Sequence, residues 1–234
     1  MLKKICIIQP GQIGDIIICL PIAKKFADSG YKVYWPLWEH IFPHFTKGHI
    51  SYVEFVKIDM SNWYNNIIQN CKQSSIEILD LSFNQPGTWE NTNTKLFGKQ
   101  TEHSFDVFKY NLAKIDISEK WKLSIQRIKE REDQLYERVY PKNKYILTHF
   151  QGSDCRKEIQ LTNLNNCSVV EIVPYTDCIF DWLKLIERAE YLVLIDSAFA
   201  NLVEQLNLPN KKIFIKRRCY TNTPLLKNSW KIIE

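Results

Sequence analysis

The sequence predicts an α/β fold organised in two successive halves. Three features predict it. A β-branched run at residues 4–8 hands over through a glycine-containing loop to an apolar helical segment, a second alternating series starts at residue 144, and a densely charged stretch lies between them. At 234 residues the chain has room for one large α/β domain or two small ones. With 45% hydrophobic and 24% charged residues it has the composition of an ordinary globular protein with a real core.

In order along the chain, residues 4–8 read as a strand, Gly11 and Gly14 as a tight loop, and Ile16, Ile17, Leu20, Ile22, Ala23 and Phe26 as a helix that Ser29-Gly30 ends. Strands follow at 31–35, 53–58 and 76–81, the β-α-β-α-β order of a parallel sheet. Residues 82–101, rich in Asn, Thr, Gln and Gly, read as a long loop, and 104–114 as a helix. Residues 119–138 mix dense charge with Trp121, Leu123, Ile125, Ile128, Leu135 and Tyr136, a strand or coil leading into an exposed helix. Residues 119–143 are the expected connection between domains 1–118 and 144–219. The second series runs from a strand at 144–149 and a loop at 151–154 through a strand at 168–173, a helix at 180–189, a strand at 191–195, a helix at 198–206 and a strand at 212–215. The two series share a pattern and no fixed-period repeat.

The net charge of +5 is too mild for a nucleic-acid binder. Its one cluster, Lys211, Lys212, Lys216, Arg217 and Arg218, suits an anionic small ligand or membrane surface, and is equally the make-up of a solvated strand end. The seven cysteines (Cys6, Cys19, Cys71, Cys155, Cys167, Cys178 and Cys219) include no Cys-x-x-Cys, so neither a zinc site nor a disulfide framework is expected, and a reducing, cytoplasmic location is. The apolar start is interrupted at residues 9–12, which argues against a cleaved leader. The apolar run at 16–23 falls well short of the roughly 20 residues that span a bilayer, so peripheral membrane contact is the most that is expected.

Three segments carry candidate chemistry. Gln9-Pro10-Gly11-Gln12-Ile13-Gly14-Asp15 sits where strand becomes helix, at the sheet edge where ligands collect, but lacks both the dinucleotide and the P-loop spacing. Asp15 there is either the helix N-cap or a functional carboxylate. Residues 192–201, with Asp196, Ser197 and Asn201, form a buried strand that enters a helix at a small polar pair suited to a diphosphate, or merely to capping. Residues 149–157 hold His149, Gly152, Ser153, Arg156 and Lys157 in a strand-end loop, with two cations able to neutralise phosphates. Glu171 ends a short strand and can face a ribose, while Trp35, Trp38 and His40 offer faces to a sugar or belong to the core. There is no Asp-x-Asp to hold a divalent cation against a diphosphate, so no metal and no cofactor is expected.

Together these segments resemble the heptosyltransferase-like glycosyltransferases of family 9. Gly14-Asp15 followed by Leu20-Pro21 is similar to that family's N-terminal motif, and Asp181-Trp182-Leu183 leading to Ile195-Asp196-Ser197 to its donor motif. His149 to Ser153 stands in the place of its phosphate loop, and Glu171 in that of its ribose-binding acid. The resemblance implies a short version of the GT-B architecture, two Rossmann-like domains facing a cleft, with residues 220–234 packing back on the first domain, Leu225 to Ile233 as the returning helix. It further implies transfer of a sugar from a nucleotide-sugar to a glycan hydroxyl, with Asp15 as general base. Gly14, Trp35, Trp38 and His40 would then lie on the acceptor side, and His149, Gly152, Ser153, Arg156, Lys157, Glu171, Asp196, Ser197 and Asn201 on the donor side. The chain departs from the pattern in carrying Ala198 where the family has Gly and Asn201 near its later His, and in being shorter. The alternative is a nucleotide- or glycan-binding module of the same fold without chemistry.

Overall fold

The computed structural model describes residues 2–59, 61, 63–82, 104–139, 141, 144–161, 167–217 and 224–234. The predicted loop beyond Ser82 lies outside the described residues, as do Arg218 and Cys219. The chain divides into two units, Met1–Gln126 and Arg127–Glu234, a boundary inside the stretch expected to connect them.

In the first unit, strands β1 (Lys3–Ile8), β2 (Tyr31–Trp38), β3 (Glu54–Ile58) and β4 (Glu77–Asp80) form a parallel sheet in the order β3-β2-β1-β4. Helix α1 (Ile13–Asp28) follows β1 and buries Ile16 to Ala23 without interruption, because a helix against a sheet beneath other elements is apolar over most of its girth. The residue before α1 is Gln12, at a φ of 63°, and Asp15 is the third helical residue, so the N-cap reading of Asp15 is corrected. Pro21 sits inside α1, where its missing N–H breaks the ladder. Beside it the Tyr110 hydroxyl donates to the Ile18 carbonyl at 3.0 Å. Helix α2 (Trp63–Gln73) lies between β3 and β4, where the alternating order implies a helix but no bounds are predicted for one. Its buried Ile67 and Cys71 are one turn apart, an amphipathic spacing diluted by Asn and Gln. Helix α3 (Phe105–Leu112) is followed by a 3₁₀ turn at Ile117–Trp121, and the two are joined by a fully buried ion pair between Asp106 and Lys120.

The second unit opens with α4 (Lys129–Val139), a charged helix held by ion pairs: Arg131 with Asp181 at 2.7 Å and Lys184 with Asp133. Its sheet, parallel throughout, runs β6-β5-β7-β8-β9, from β5 (Tyr145–His149), β6 (Ser168–Glu171), β7 (Tyr191–Ile195), β8 (Lys211–Ile215) and β9 (Trp230–Ile233). Helices α5 (Leu183–Arg188) and α6 (Ala198–Leu206) cross between strands. The segment expected as a returning helix is instead β9, because Trp230, Ile232 and Ile233 pair in register with β8 (Phe214 opposite Ile232). This strand is clipped to α6 by Glu204. The fully buried carboxylate accepts from the Lys227 backbone N–H at 2.7 Å and the Trp230 indole at 2.7 Å. No helix among the described residues is long and apolar enough to cross a membrane.

Removing the Glu204 carboxylate orphans several part-buried donors at once, at up to roughly 1–3 kcal/mol each. Glu204→Ala is therefore expected to lower unfolding stability by about 2–4 kcal/mol, and Glu204→Gln, which keeps one acceptor, by less. Urea denaturation of the three proteins checks this, and equal midpoints for Glu204→Ala and wild type would contradict the clip.

Candidate functional site

In the first sheet the strand order reverses between β1 and β4, so the crevice at a doubly wound switch point lies beyond Ile8 and Asp80. The loop after β1 enters it. Its first residue, Gln9, is buried and bonded on all sides: its carbonyl accepts from the Trp35 indole at 2.9 Å and its side-chain oxygen from the Lys109 ammonium. Its amide nitrogen donates to the Gly11 carbonyl at 2.9 Å and faces an Asp15 carboxylate oxygen at 3.4 Å. Lys109, fully buried on α3, also donates to the Leu81 carbonyl at 2.7 Å, joining the ends of the two switch-point strands. Asp15 itself is half-buried in the first turn of α1, and Gly14 precedes it there.

The aromatic residues separate into two groups. Trp35 is fully buried, with its indole N–H committed to Gln9, so its expected contact with an acceptor is corrected to a core role. Trp38 lies over Gly11 so closely that a Cβ there would sit 1.9 Å from the indole ring, which is why this position needs glycine. Trp38 also stacks on exposed His40 at 5.9 Å and meets the edge of Trp63 at 6.4 Å, and its buried Nε1 has no hydrogen-bond partner among the described residues. A cavity of about 570 Å³ at the far end of α1 has its cations paired: Lys24 with Asp28, and Lys25 and Lys122 with Glu119.

The second sheet has the other common winding, with its switch point between β5 and β7. His149 ends β5, and Ser197 follows β7 by two residues. His149 Nδ1 and Ser197 Oγ share a 3.0 Å hydrogen bond across the switch, and Phe199 packs edge-on to the imidazole at 4.9 Å. Ser197 holds the N-cap position of α6 but makes no capping bond, because its hydroxyl is turned to His149. Burial pushes His149 down to about 4, with Glu171 opposing and Arg156 reinforcing the shift, so the imidazole is neutral at neutral pH.

Around this pair, the loop after β5 is pinned by Arg217 from the end of β8. The guanidinium donates to Ser153 Oγ at 3.0 Å and Asp154 at 2.9 Å and lies 3.7 Å from Asp196, and the Arg217 Cδ packs on Gly152, where a Cβ would meet it at 3.1 Å. Arg156, expected as a phosphate cation, is exposed and shares its charge between Glu158 at 2.7 Å and Glu171 at 2.8 Å. The Lys157 ammonium donates to the Lys216 carbonyl at 3.2 Å. Asn201, one turn into α6, is buried, with its Oδ1 lacking a hydrogen-bond partner among the described residues. Lys109 was not singled out from sequence, and Gln9 and Arg217 were named only as members of a segment and of the basic cluster. Arg217 had a signal in the basic cluster, but strand alternation splits that cluster: Lys211 points out to Glu190, and Lys212 is buried against the Leu208 carbonyl.

Two parallel α/β units with ligand crevices at their switch points define the GT-B class of fold. Solved structures of that class align over nearly the whole chain. The glycosyl transferase of family 9 from Veillonella parvula matches at TM-score 0.63 and 9% identity, covering 99% of this chain and 86% of that one. The ADP-heptose lipopolysaccharide heptosyltransferase II of E. coli matches at 0.58 and 12%, covering 99% and 90%. The E. coli heptosyltransferase WaaC, solved with ADP-2-deoxy-2-fluoro heptose, matches at 0.54 and 11%, covering 98% and 92%. No family model and no curated protein matches the sequence.

Because the folded chain binds the His149 proton only near pH 4 and the unfolded chain near 6.5, the unfolded state gains protons first as the pH falls. Stability is expected to be full above about pH 6.5 and to decline down through pH 4, by about 3 kcal/mol at most from this group. His149→Gln should flatten that part of the stability curve, which denaturation at a series of pH values measures.

Proposed function

We propose that this chain is a glycosyltransferase that moves a sugar from a nucleotide-sugar to a hydroxyl of a glycan acceptor. The observation that carries the reading is the switch point of the second sheet. There the N-terminus of α6 has no side-chain cap, and the only hydroxyl at that position is held aside by a neutral histidine. Free N–H groups at a helix start, with the positive end of the helix dipole behind them, are suited to a diphosphate. The GT-B fold, shared with enzymes whose structures contain ADP and ADP-heptose analogues, favours a nucleoside diphosphate there.

In this reading Ser197, Gly152 and Ser153 line the donor diphosphate, Arg217 and Lys157 supply positive charge, and Asn201 offers its Oδ1 to the donor. Glu171, with Arg156 bound to it, stands at the ribose. Asp15 is the general base on the acceptor side, with Gly14 giving close approach and Trp38 and His40 a stacking surface. As the acceptor oxygen bonds to the anomeric carbon, its proton passes to Asp15. The anomeric carbon–oxygen bond breaks and the electron pair leaves on the nucleoside diphosphate. General-base assistance is worth about 10²–10⁴-fold, and electrostatic stabilisation of the leaving diphosphate is the larger contribution. Protein cations and the helix start do the neutralising in this scheme, which requires no metal.

Asp15→Asn preserves shape at the third position of α1, so nucleoside diphosphate affinity, probed with ADP, is expected to stay near wild type while sugar transfer falls by about two to four orders of magnitude. A fully active Asp15→Asn protein would remove Asp15 from the chemistry, and binding of ADP with no transfer from any nucleotide-sugar would favour a binding module. Transfer measured with excess EDTA is expected to match transfer without it, and activity lost to EDTA and restored by magnesium or manganese would reject the metal-free scheme.

A further inference from the structure

We propose that Lys109 is a positioning residue for Asp15, acting through the Gln9 carboxamide. The inference rests on the reading of Asp15 as the base. A carboxamide is nearly symmetric in shape, and its two ends differ only in hydrogen bonding: the oxygen accepts, the nitrogen donates. An ammonium can only donate. Lys109, fully buried and bonded to the side-chain oxygen of Gln9, therefore admits one orientation of the amide, with its nitrogen toward the Gly11 carbonyl and the Asp15 carboxylate. In the reverse orientation the amide nitrogen would face the ammonium, and the amide oxygen would face a carboxylate. Both pairings are repulsive.

The arrangement joins residues one hundred positions apart. The Trp35 indole and the Leu81 carbonyl hold its two ends, so neither Gln9 nor Lys109 can turn away cheaply. The titratable groups packed around it among the described residues include Cys19 on α1, Asp106 and Tyr110 on α3 and Lys120 on the 3₁₀ turn. The Cys19 thiol, pushed up to about 12 chiefly by burial, lies within electrostatic reach of Lys109, Asp15 and Asp106. Lys120 pairs with Asp106, and Lys109 faces the Gln9 end of the network. At 3.4 Å the amide-to-carboxylate contact is long for a charge-assisted bond, so it orients the carboxylate without tying it up, as a base that must take a proton requires.

Two variants test this. Gln9→Glu keeps an acceptor for Lys109 and replaces the donor facing Asp15 by a second carboxylate oxygen; Lys109→Met keeps length and removes the ammonium. The readout is the carboxyl titration of Asp15, followed by carbon-13 NMR with aspartate labelling and assigned through Asp15→Asn. The proton affinity of Asp15 is expected to rise about tenfold or more in Gln9→Glu and to move in the same direction in Lys109→Met. An Asp15 titration identical to wild type in folded Gln9→Glu would overturn the proposal, and that variant decides alone if Lys109→Met fails to fold. Sugar transfer is then measured on the same proteins. A lower turnover with donor KM near wild type is expected, whereas a shifted Asp15 titration with unchanged turnover would leave the positioning intact and reject Asp15 as the base.

Discussion

A buried ammonium has to be surrounded by acceptors, and in the first unit that requirement organises the whole carboxyl edge of the sheet. Lys109 has no exposure to water, and an uncompensated charge in such a place costs several kcal/mol. Its acceptors are the carbonyl after β4 and the side chain after β1, so the two strands that flank the switch point end at a common cation carried by α3. From that anchor the rest follows in order. Gln9 takes one orientation, the Trp35 indole closes over its carbonyl, Gly11 passes beneath the Trp38 ring, and the chain turns through Gln12 at positive φ into α1 with Asp15 in its first turn. Here the buried ammonium fixes one arrangement of the loop among several, which is what the proposed role of Asp15 needs.

The second unit solves the same problem by a different route. Its switch point is spanned by two side chains, His149 and Ser197, and the imidazole is kept neutral by burial. A charged histidine there would supply attraction to an anion at the price of desolvation; a neutral one orients a hydroxyl and leaves the helix end to provide the positive field. Arg217 spreads its contacts over Ser153, Asp154 and Asp196, tying the loop after β5 to the turn after β7. Arg156 is likewise answered by two carboxylates, Glu158 and Glu171, so its net field is small and Glu171 is fixed more than it is strengthened.

What was legible in the sequence is what is local. A β-branched run followed by a glycine-containing loop or by Asp196-Ser197 announces a strand passing into a helix within a few residues; the second handover stands where the reading put it, and the first helix begins earlier, at Ile13. Features set by distant partners were not legible. Nothing near Gln9 announces Lys109, and nothing near Trp35 says that its indole N–H is spoken for by a backbone carbonyl. The bounds of helix α2 hid because Asn and Gln carry the polar face between Ile67 and Cys71, and β9 hid because four residues suit either state until β8 offers an edge. The two halves look alike as alternating patterns, yet their strand orders differ, and order is a property of pairing that composition does not encode.

Glu204 also bears on how the chain is made. During synthesis α6 emerges with this carboxylate well before the residues that answer it, since Lys227, Asn228 and Trp230 lie more than twenty positions further along. Until they arrive, β8 has an open edge and α6 carries an unanswered acidic group in a surface meant to be buried. The nascent second unit is thus held in an unfinished state whose completion depends on residues 227–233 leaving the ribosome. A delay there leaves an apolar strand edge open to pairing with other chains.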